Sequence, residues 1–191
     1  MKHIYSKFYN QEFKITELKS EILGVVLHDD AENNSAEDYI VWLQQRIDNH
    51  ELEKGWACAY VDKQTCYWFH PSPYVEWHCG NTFANEHYIG IERCQSKMNG
   101  ILSDEQFMKN EETSYWIAAL LLKKYQLPVN RETVKLHKMF YDTECPARAW
   151  SMHLDNAPTN EENIKMLQDY FIDKIKSYYF NIKESDMSVV G

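Results

Sequence analysis

Ile22-Leu23-Gly24-Val25-Val26-Leu27-His28 is a nearly continuous apolar run that stops at Asp29-Asp30. It is short and β-branched, and no polar residue falls on alternate positions before His28. Those features point to a strand buried on both faces. Asp29 and Asp30 are poor strand formers and close it. A strand of this kind needs helices on both sides of its sheet, so an α/β chain is expected. His28 then sits at the strand's end, where open α/β sheets gather ligands.

Working outward, Ser35 with Asp38 three residues on opens a helix with a capping box, striped by Tyr39, Leu43 and Ile47 with Trp42 beside the stripe. Residues 56–61 and 66–69 flank Asp62-Lys63-Gln64-Thr65, a pattern that predicts a hairpin with a four-residue loop. A further strand over 88–94 contains Ile89-Gly90-Ile91-Glu92. Ser103 and Gln106 cap a helix reaching about Tyr125, and Pro128 prevents its continuation. Asn130 predicts a short helix ending near Leu136, and Thr159 with Glu162 predicts the start of a last helix striped by Leu167, Phe171, Ile175 and Tyr178. No repeat or Pro/Gly/Ser linker divides the chain. The expected fold class is α/β: one domain over residues 1–183, a mixed central β-sheet flanked by helices, then a frayed tail over 184–191.

Composition narrows the function. Hydrophobic residues make up 44% and charged residues 26% of the 191, enough apolar content for a packed core. The formal net charge of −9 argues against nucleic acid and against an anionic membrane as partners, since both reward basic patches. It also means that whole-domain attraction would not draw the chain to an anionic cell wall. No run approaches the ~18 apolar residues of a membrane span, and the start MKHIYSKFYNQEFKI is polar where an export signal needs its apolar stretch. Five cysteines at irregular spacing suit reduced thiols and a cytoplasmic site of synthesis better than a disulfide framework. The 13 Tyr and 6 Trp can supply flat, amphipathic walls for a polar ligand such as a glycan.

Three segments carry candidate chemistry. His28 taken alone reads first as a capped, hydrogen-bonded structural histidine. His137 follows the short helix expected before it, and Cys145 lies eight residues on, with Pro146 fixing the backbone behind the thiol. Two imidazoles and a thiolate suit Zn²⁺, and three protein ligands leave a fourth position for water, the mark of a catalytic site. Strand alternation puts Gly90 and Glu92 on one face. Glu92 is then either a solvent-facing carboxylate or a general base, with Gly90 leaving room above the sheet.

Gly24-Val25-Val26-Leu27-His28, Trp77-His78-Cys79-Gly80-Asn81, Ile89-Gly90-Ile91-Glu92-Arg93-Cys94, and His137 with Thr143-Glu144-Cys145-Pro146 together resemble the N-acetylmuramoyl-L-alanine amidases. That is the fold shared with peptidoglycan-recognition proteins, and the likeness is strongest to catalytic domains of phage endolysins. It covers roughly residues 20–180. It implies zinc held by His28, His137 and Cys145, with Glu92 as general base and Thr143 lining the active site. It further implies that Trp77 and His78 meet glycan or stem peptide, with Asp29 beside the site, and that bacterial peptidoglycan is the partner. Action on the wall after release from the cell follows from the same likeness. Trp56 stands where another branch keeps a catalytic Tyr, and Ala147 replaces a Gly common after Cys-Pro.

Rival functions remain at this level. A non-catalytic peptidoglycan-binding module of the same fold would lack a ligand at Cys145. A peptidoglycan endopeptidase would differ only in the bond cut. A hydrolase using Cys79 or Cys145 as nucleophile would want a helix N-terminus behind the thiol, and none is expected after Pro146. A purely structural zinc site would want a fourth protein ligand, which no local C-x-x-C or H-x₃-H pattern offers.

Overall fold

A computed structural model describes residues 5–8 and 17–190. Most of the N-terminal stretch weighed above as an export signal lies outside them. Strands are β1 (Tyr5–Phe8), β2 (Gly24–Asp29), β3 (Ala59–Val61), β4 (Thr65–Trp68), β5 (Tyr88–Arg93) and β6 (Val134–Leu136). Helices are α1 (Asp38–Asp48), α2 (Thr82–His87), α3 (Asp104–Lys124), α4 (Ala147–Leu154) and α5 (Glu161–Tyr179). The six strands form one sheet in the order β1-β4-β3-β5-β2-β6. Only the β3–β4 hairpin is antiparallel; β3, β5, β2 and β6 run parallel, and β1 runs parallel to β4. This is the mixed, helix-flanked α/β sheet expected from the sequence.

β2 is buried along all six residues, as a central strand between β5 and β6 must be. Alternation then divides its side chains. Val25 and Leu27 join Ile89 and Ile91 of β5 in the main core against α3 and α5. Val26 turns to the opposite face, with Cys79, Ala84 and Tyr88. The hairpin closes as expected: Val61 pairs with Cys66 and the Asp62 amide donates to the Thr65 carbonyl (3.0 Å).

Local capping fixes most helix starts. Ser103 and Gln106 complete their capping box at the head of α3. The Ser35–Asp38 pair also forms, Ser35 N–H to Asp38 Oδ2 (2.8 Å) and Asp38 N–H to Ser35 Oγ (3.2 Å), although α1 proper begins only at Asp38. Three expectations need correction. Asn130 caps a turn, not a helix: its Oδ1 accepts the amides of Glu132 and Thr133, and the chain then enters β6 beside β2. The last helix is capped by Asn160, whose Oδ1 accepts the Asn163 amide (2.9 Å), rather than by Thr159. Residues 184–189, expected to fray, form a 3-10 helix, and the Val189 carbonyl accepts the indole N–H of Trp68 (2.8 Å). α2 and α4 were not anticipated. Among the described residues no helix is long and apolar enough to cross a membrane, and the five cysteines carry no disulfide.

Candidate metal centre

The carboxyl ends of β2, β5 and β6 lie side by side, and the site is built on them. His28 and Glu92 are register partners on neighbouring parallel strands, so alternation delivers both side chains to one face. His137 follows immediately after β6. Cys145 sits in the loop before α4, its amide donating to Thr143 Oγ1 (3.2 Å), and the Cys145–Pro146 peptide is cis. Ligand atoms of His28, His137 and Cys145 all fall within 4.8 Å of one another. His28 Nδ1 is 3.1 Å from His137 Nδ1 and 3.8 Å from Cys145 Sγ.

These separations can be compared with what a cation would require. Zinc bonds of about 2.0 Å to nitrogen and 2.3 Å to sulfur, in tetrahedral geometry, hold N···N pairs roughly 3.3 Å and N···S pairs roughly 3.5 Å apart. Both measured distances fall close to these values. A second group, His28, His78 and Cys79, shares His28 through its other ring nitrogen. There the two nitrogens, His28 Nε2 and His78 Nδ1, are 2.8 Å apart and Cys79 Sγ is 4.0 Å from His28 Nε2. The first separation is that of a hydrogen bond and too short for two ligands of one ion.

The surroundings keep the imidazoles neutral, the form that binds metals. Burial, then the neighbouring His137 and His78 rings and Arg93, hold His28 well below the ordinary histidine value. Burial likewise lowers His137. The Cys145 thiol is pushed well up by burial and by the Glu92 and Asp29 carboxylates. Against that, its sulfur accepts the Asp29 amide (3.3 Å) and stands just ahead of α4, so the premise that no helix begins there was wrong. Glu92 Oε1 is 3.9 Å from His28 Nδ1, and burial with the carboxylates of Asp30 and Asp29 raises its carboxyl to about 8. Its Oε2 is buried with no hydrogen-bond partner among the described residues.

Other expected residues land elsewhere. Asp29 does not face the site. Alternation turns it away from His28 toward α3, where its carboxylate meets Arg93 Nε (2.9 Å) and accepts the Ala149 amide (3.0 Å). Only its backbone touches the centre, through Cys145. Arg93 itself is fully buried, donating to the His28 carbonyl (3.1 Å) and pairing with Glu111 (3.2 Å). His78 is 8% exposed and stands against His28, their rings edge to face at 5.0 Å. Trp77 is 47% exposed and lines an open cleft of about 210 Å³ with Trp42, Trp56, Tyr60 and Glu92. Arg46 stacks over Trp42 (3.7 Å) at the same cleft. Thr143 borders a second, larger hollow beyond Cys145, with Lys138 and Trp150.

The room at Gly90 is also taken differently from expectation. A Cβ there would lie 2.8 Å from the His78 ring and 2.9 Å from Glu76 Oε2, so these two side chains fill the space above the glycine. Nothing in the sequence singled out Glu76. It is buried with Lys19 (2.8 Å) and accepts the amides of Cys58 (2.6 Å) and Gly90 (3.0 Å). A carboxylate inside an apolar stretch was the one available signal for it.

Residues 18–148, the span holding His28, Glu92, His137 and Cys145, match the family described as N-acetylmuramoyl-L-alanine amidase. Endolysin 2638A of Staphylococcus phage 2638A is 44% identical over 180 residues, which is 94% of this chain and 37% of that protein. Endolysin PlyTW of Staphylococcus phage Twort is 37% identical over 82% of this chain and 34% of its own length. The chain thus spans about a third of the curated relatives it matches. Among solved structures, PlyL superposes with a TM-score of 0.68 at 22% identity, covering 92% of this chain and 98% of its own. Staphylococcus aureus hydrolase AmiA superposes with a TM-score of 0.63 at 18% identity over 98% of this chain and 86% of its own. These two likenesses concern the fold.

Proposed function

The chain belongs to the N-acetylmuramoyl-L-alanine amidase family, and from that premise we propose that it is a zinc-dependent amidase cutting the bond between N-acetylmuramic acid and L-alanine in bacterial peptidoglycan, as a catalytic domain of the endolysin kind. The observation that carries the proposal is the convergence of His28, His137 and Cys145, with donor atoms within 4.8 Å of one another, beside Glu92. In this reading the two imidazoles and the thiolate would hold the metal, with Glu92 beside them lining the aromatic cleft.

Bound zinc supplies Lewis acidity, acidifying water and polarising the scissile carbonyl. The remaining work falls to the protein. Glu92, on the same sheet face as His28, takes the proton of the attacking water and delivers one to the leaving amine of L-alanine. Its Oε2 makes no hydrogen bond among the described residues, and a cation bound at His28 Nδ1, which lies 3.9 Å from Glu92 Oε1, would favour the ionised carboxylate that the base role needs. Thr143 Oγ1 accepts the Cys145 amide, which steadies the ligand loop and leaves the hydroxyl proton to donate to a developing oxyanion. Trp77, nearly half exposed at the cleft, offers a face on which a sugar or a peptide plane can lie. The presence of Cys145 among the ligands weighs against a metal-free binding module.

The test is digestion of purified Gram-positive cell walls with and without a strong chelator, identifying new chain ends. New N-terminal L-alanine, lost with the chelator and restored by Zn²⁺, is expected. New termini at another stem-peptide or cross-bridge residue would make the domain an endopeptidase. Wall binding with no new ends would make it a binding module.

A further inference from the structure

We propose that His78 is a positioning residue, which accepts the Nε2–H of His28 on its own Nδ1 and so fixes the His28 tautomer whose bare Nδ1 faces His137 and Cys145. The inference rests on the metal reading given above but assigns His78 a role other than substrate contact.

His28 has its two ring nitrogens committed to two different neighbours. Nδ1 is 3.1 Å from His137 Nδ1, and Nε2 is 2.8 Å from His78 Nδ1. A neutral imidazole carries one N–H and one lone pair, so the hydrogen bond made at one nitrogen decides what the other can do. If His28 donates from Nε2, its Nδ1 lone pair points into the His137–Cys145 gap. If it accepts at Nε2, a proton on Nδ1 blocks that gap. His78 therefore selects between a metal-binding and a metal-excluding ring. For His78 to accept at Nδ1, its own proton must sit on Nε2. The Tyr88 and Ala84 backbone lies close to the His78 ring, yet Nε2 is buried with no hydrogen-bond partner among the described residues, so the Nε2–H tautomer of His78 is held by the bond at Nδ1 alone.

The fold invests in placing this ring. Asn85 of α2 accepts the backbone amides of both His78 (3.1 Å) and Cys79 (3.0 Å) on one side-chain oxygen, clamping the segment that carries the imidazole. α2 is held in turn by Asn81, whose Oδ1 accepts the Ala84 amide. Beneath the ring, β5 carries Gly90, where a methyl group would collide with His78 Cγ and Nδ1 at 2.8 Å. A bare position on a buried strand, a ring laid over it and a side-chain clamp on its backbone together define one orientation. His78 also lines the aromatic cleft, with 8% of its surface exposed there, so the contact with His28 is a role beside any contact with substrate.

The test compares His78→Leu, which removes the acceptor, with His78→Asn, whose side-chain oxygen can replace Nδ1 as acceptor. Zinc affinity is measured by chelator competition, folding by thermal melting of the zinc-free proteins, and the His28 tautomer by ¹⁵N chemical shifts of its ring nitrogens in the zinc-free parent. His78→Leu should weaken zinc by roughly 10–100-fold, the usual cost of losing an outer partner of a metal-bound histidine. His78→Asn should recover most of that loss, and the zinc-free parent should show His28 protonated on Nε2. Zinc affinity unchanged in His78→Leu, or His28 protonated on Nδ1, would overturn the proposal. Complete loss of zinc by both variants, with folding retained, would make His78 a ligand and overturn it as well. If the parent takes up no zinc, the metal reading fails, while the tautomer measured in the zinc-free chain still decides the role of His78.

Discussion

Replacing Glu92 by Gln keeps the size of the side chain and its capacity to hydrogen-bond, but removes the proton acceptor. Two consequences follow, and they have opposite signs. If the carboxylate takes the proton of the attacking water, turnover should fall by ~10²–10⁴-fold, which corresponds to about 3–5 kcal/mol of lost transition-state stabilisation. Zinc content should stay at the parent level, because Glu92 Oε1 is 3.9 Å from the nearest ligand atom of His28 and is not itself among the converging donors. Stability of the zinc-free chain should move the other way. Burial, then the Asp30 and Asp29 carboxylates, raise the Glu92 carboxyl from 4.5 to about 8. An acid raised on folding is protonated in the folded chain and ionised in the unfolded one between those two values. Unfolding then releases a proton, and stability falls as pH rises from about 4.5 to 8. Gln has no such loss. The zinc-free variant should therefore match the parent near pH 5 and exceed it near pH 8, by a margin on the order of a few kcal/mol at most. Turnover on purified walls, metal analysis, and melting at the two pH values give all three quantities. Near-parent turnover with full zinc would refute the general-base role, and a variant less stable than the parent at pH 8 would refute the account of its burial.

Cys145→Ser replaces a thiolate with a poor neutral ligand, so its zinc affinity should drop beyond the roughly 10–100-fold expected for an outer partner; chelator competition measures this, and retained affinity would remove Cys145 from the ligand set. Arg93→Met leaves Asp29 and Glu111 as buried carboxylates without their common cation. A loss of about 3–5 kcal/mol is expected at neutral pH, read by denaturant unfolding, and a change below about 1 kcal/mol would mean that Met packing offsets the broken pairs.

Much of this was legible in sequence where the signal was local. The apolar run before His28, the four-residue loop of the hairpin and the Ser103–Gln106 capping box each depend on neighbours within a few residues, and each appears in the fold. β6 was not legible because its three residues are too few to show a period, and Asn130 gives the same capping signal for a turn as for a helix. α4 was hidden by Pro146, which disfavours helix at Cys145 yet is well suited to precede a helix start. The site itself is a long-range object. His28 meets His137 across 109 residues, Cys145 across 117 and His78 across 50, and no spacing rule reaches that far. Resemblance to a family joined these segments and put Asp29 beside the site, but only the packed side chains show that Asp29 turns to Arg93 and that His78 meets His28 as well as the cleft.

The separation of His28 from Asp29 explains why adjacent residues carry different work. At the ends of β2 and β5, registered pairs His28–Glu92 and Asp29–Arg93 follow one another. Period-two alternation sends the first pair to the cleft face and the second to the α3 face. One pair supplies a candidate ligand and a candidate base. The other supplies a buried ion pair that reaches Glu111 of α3, donates to the His28 carbonyl and meets the first turn of α4 through Ala149. The Asp29 amide also bonds Cys145 Sγ, so the ionic side of the sheet fixes the backbone on which the candidate ligands are hung. A one-residue slip of β2 against β5 would exchange these faces and bury a histidine where the carboxylate pairs with arginine. The apolar alternation of Val25 and Leu27 against Val26 therefore sets register for the core and, by the same step, chooses which of two neighbouring polar residues faces the cleft.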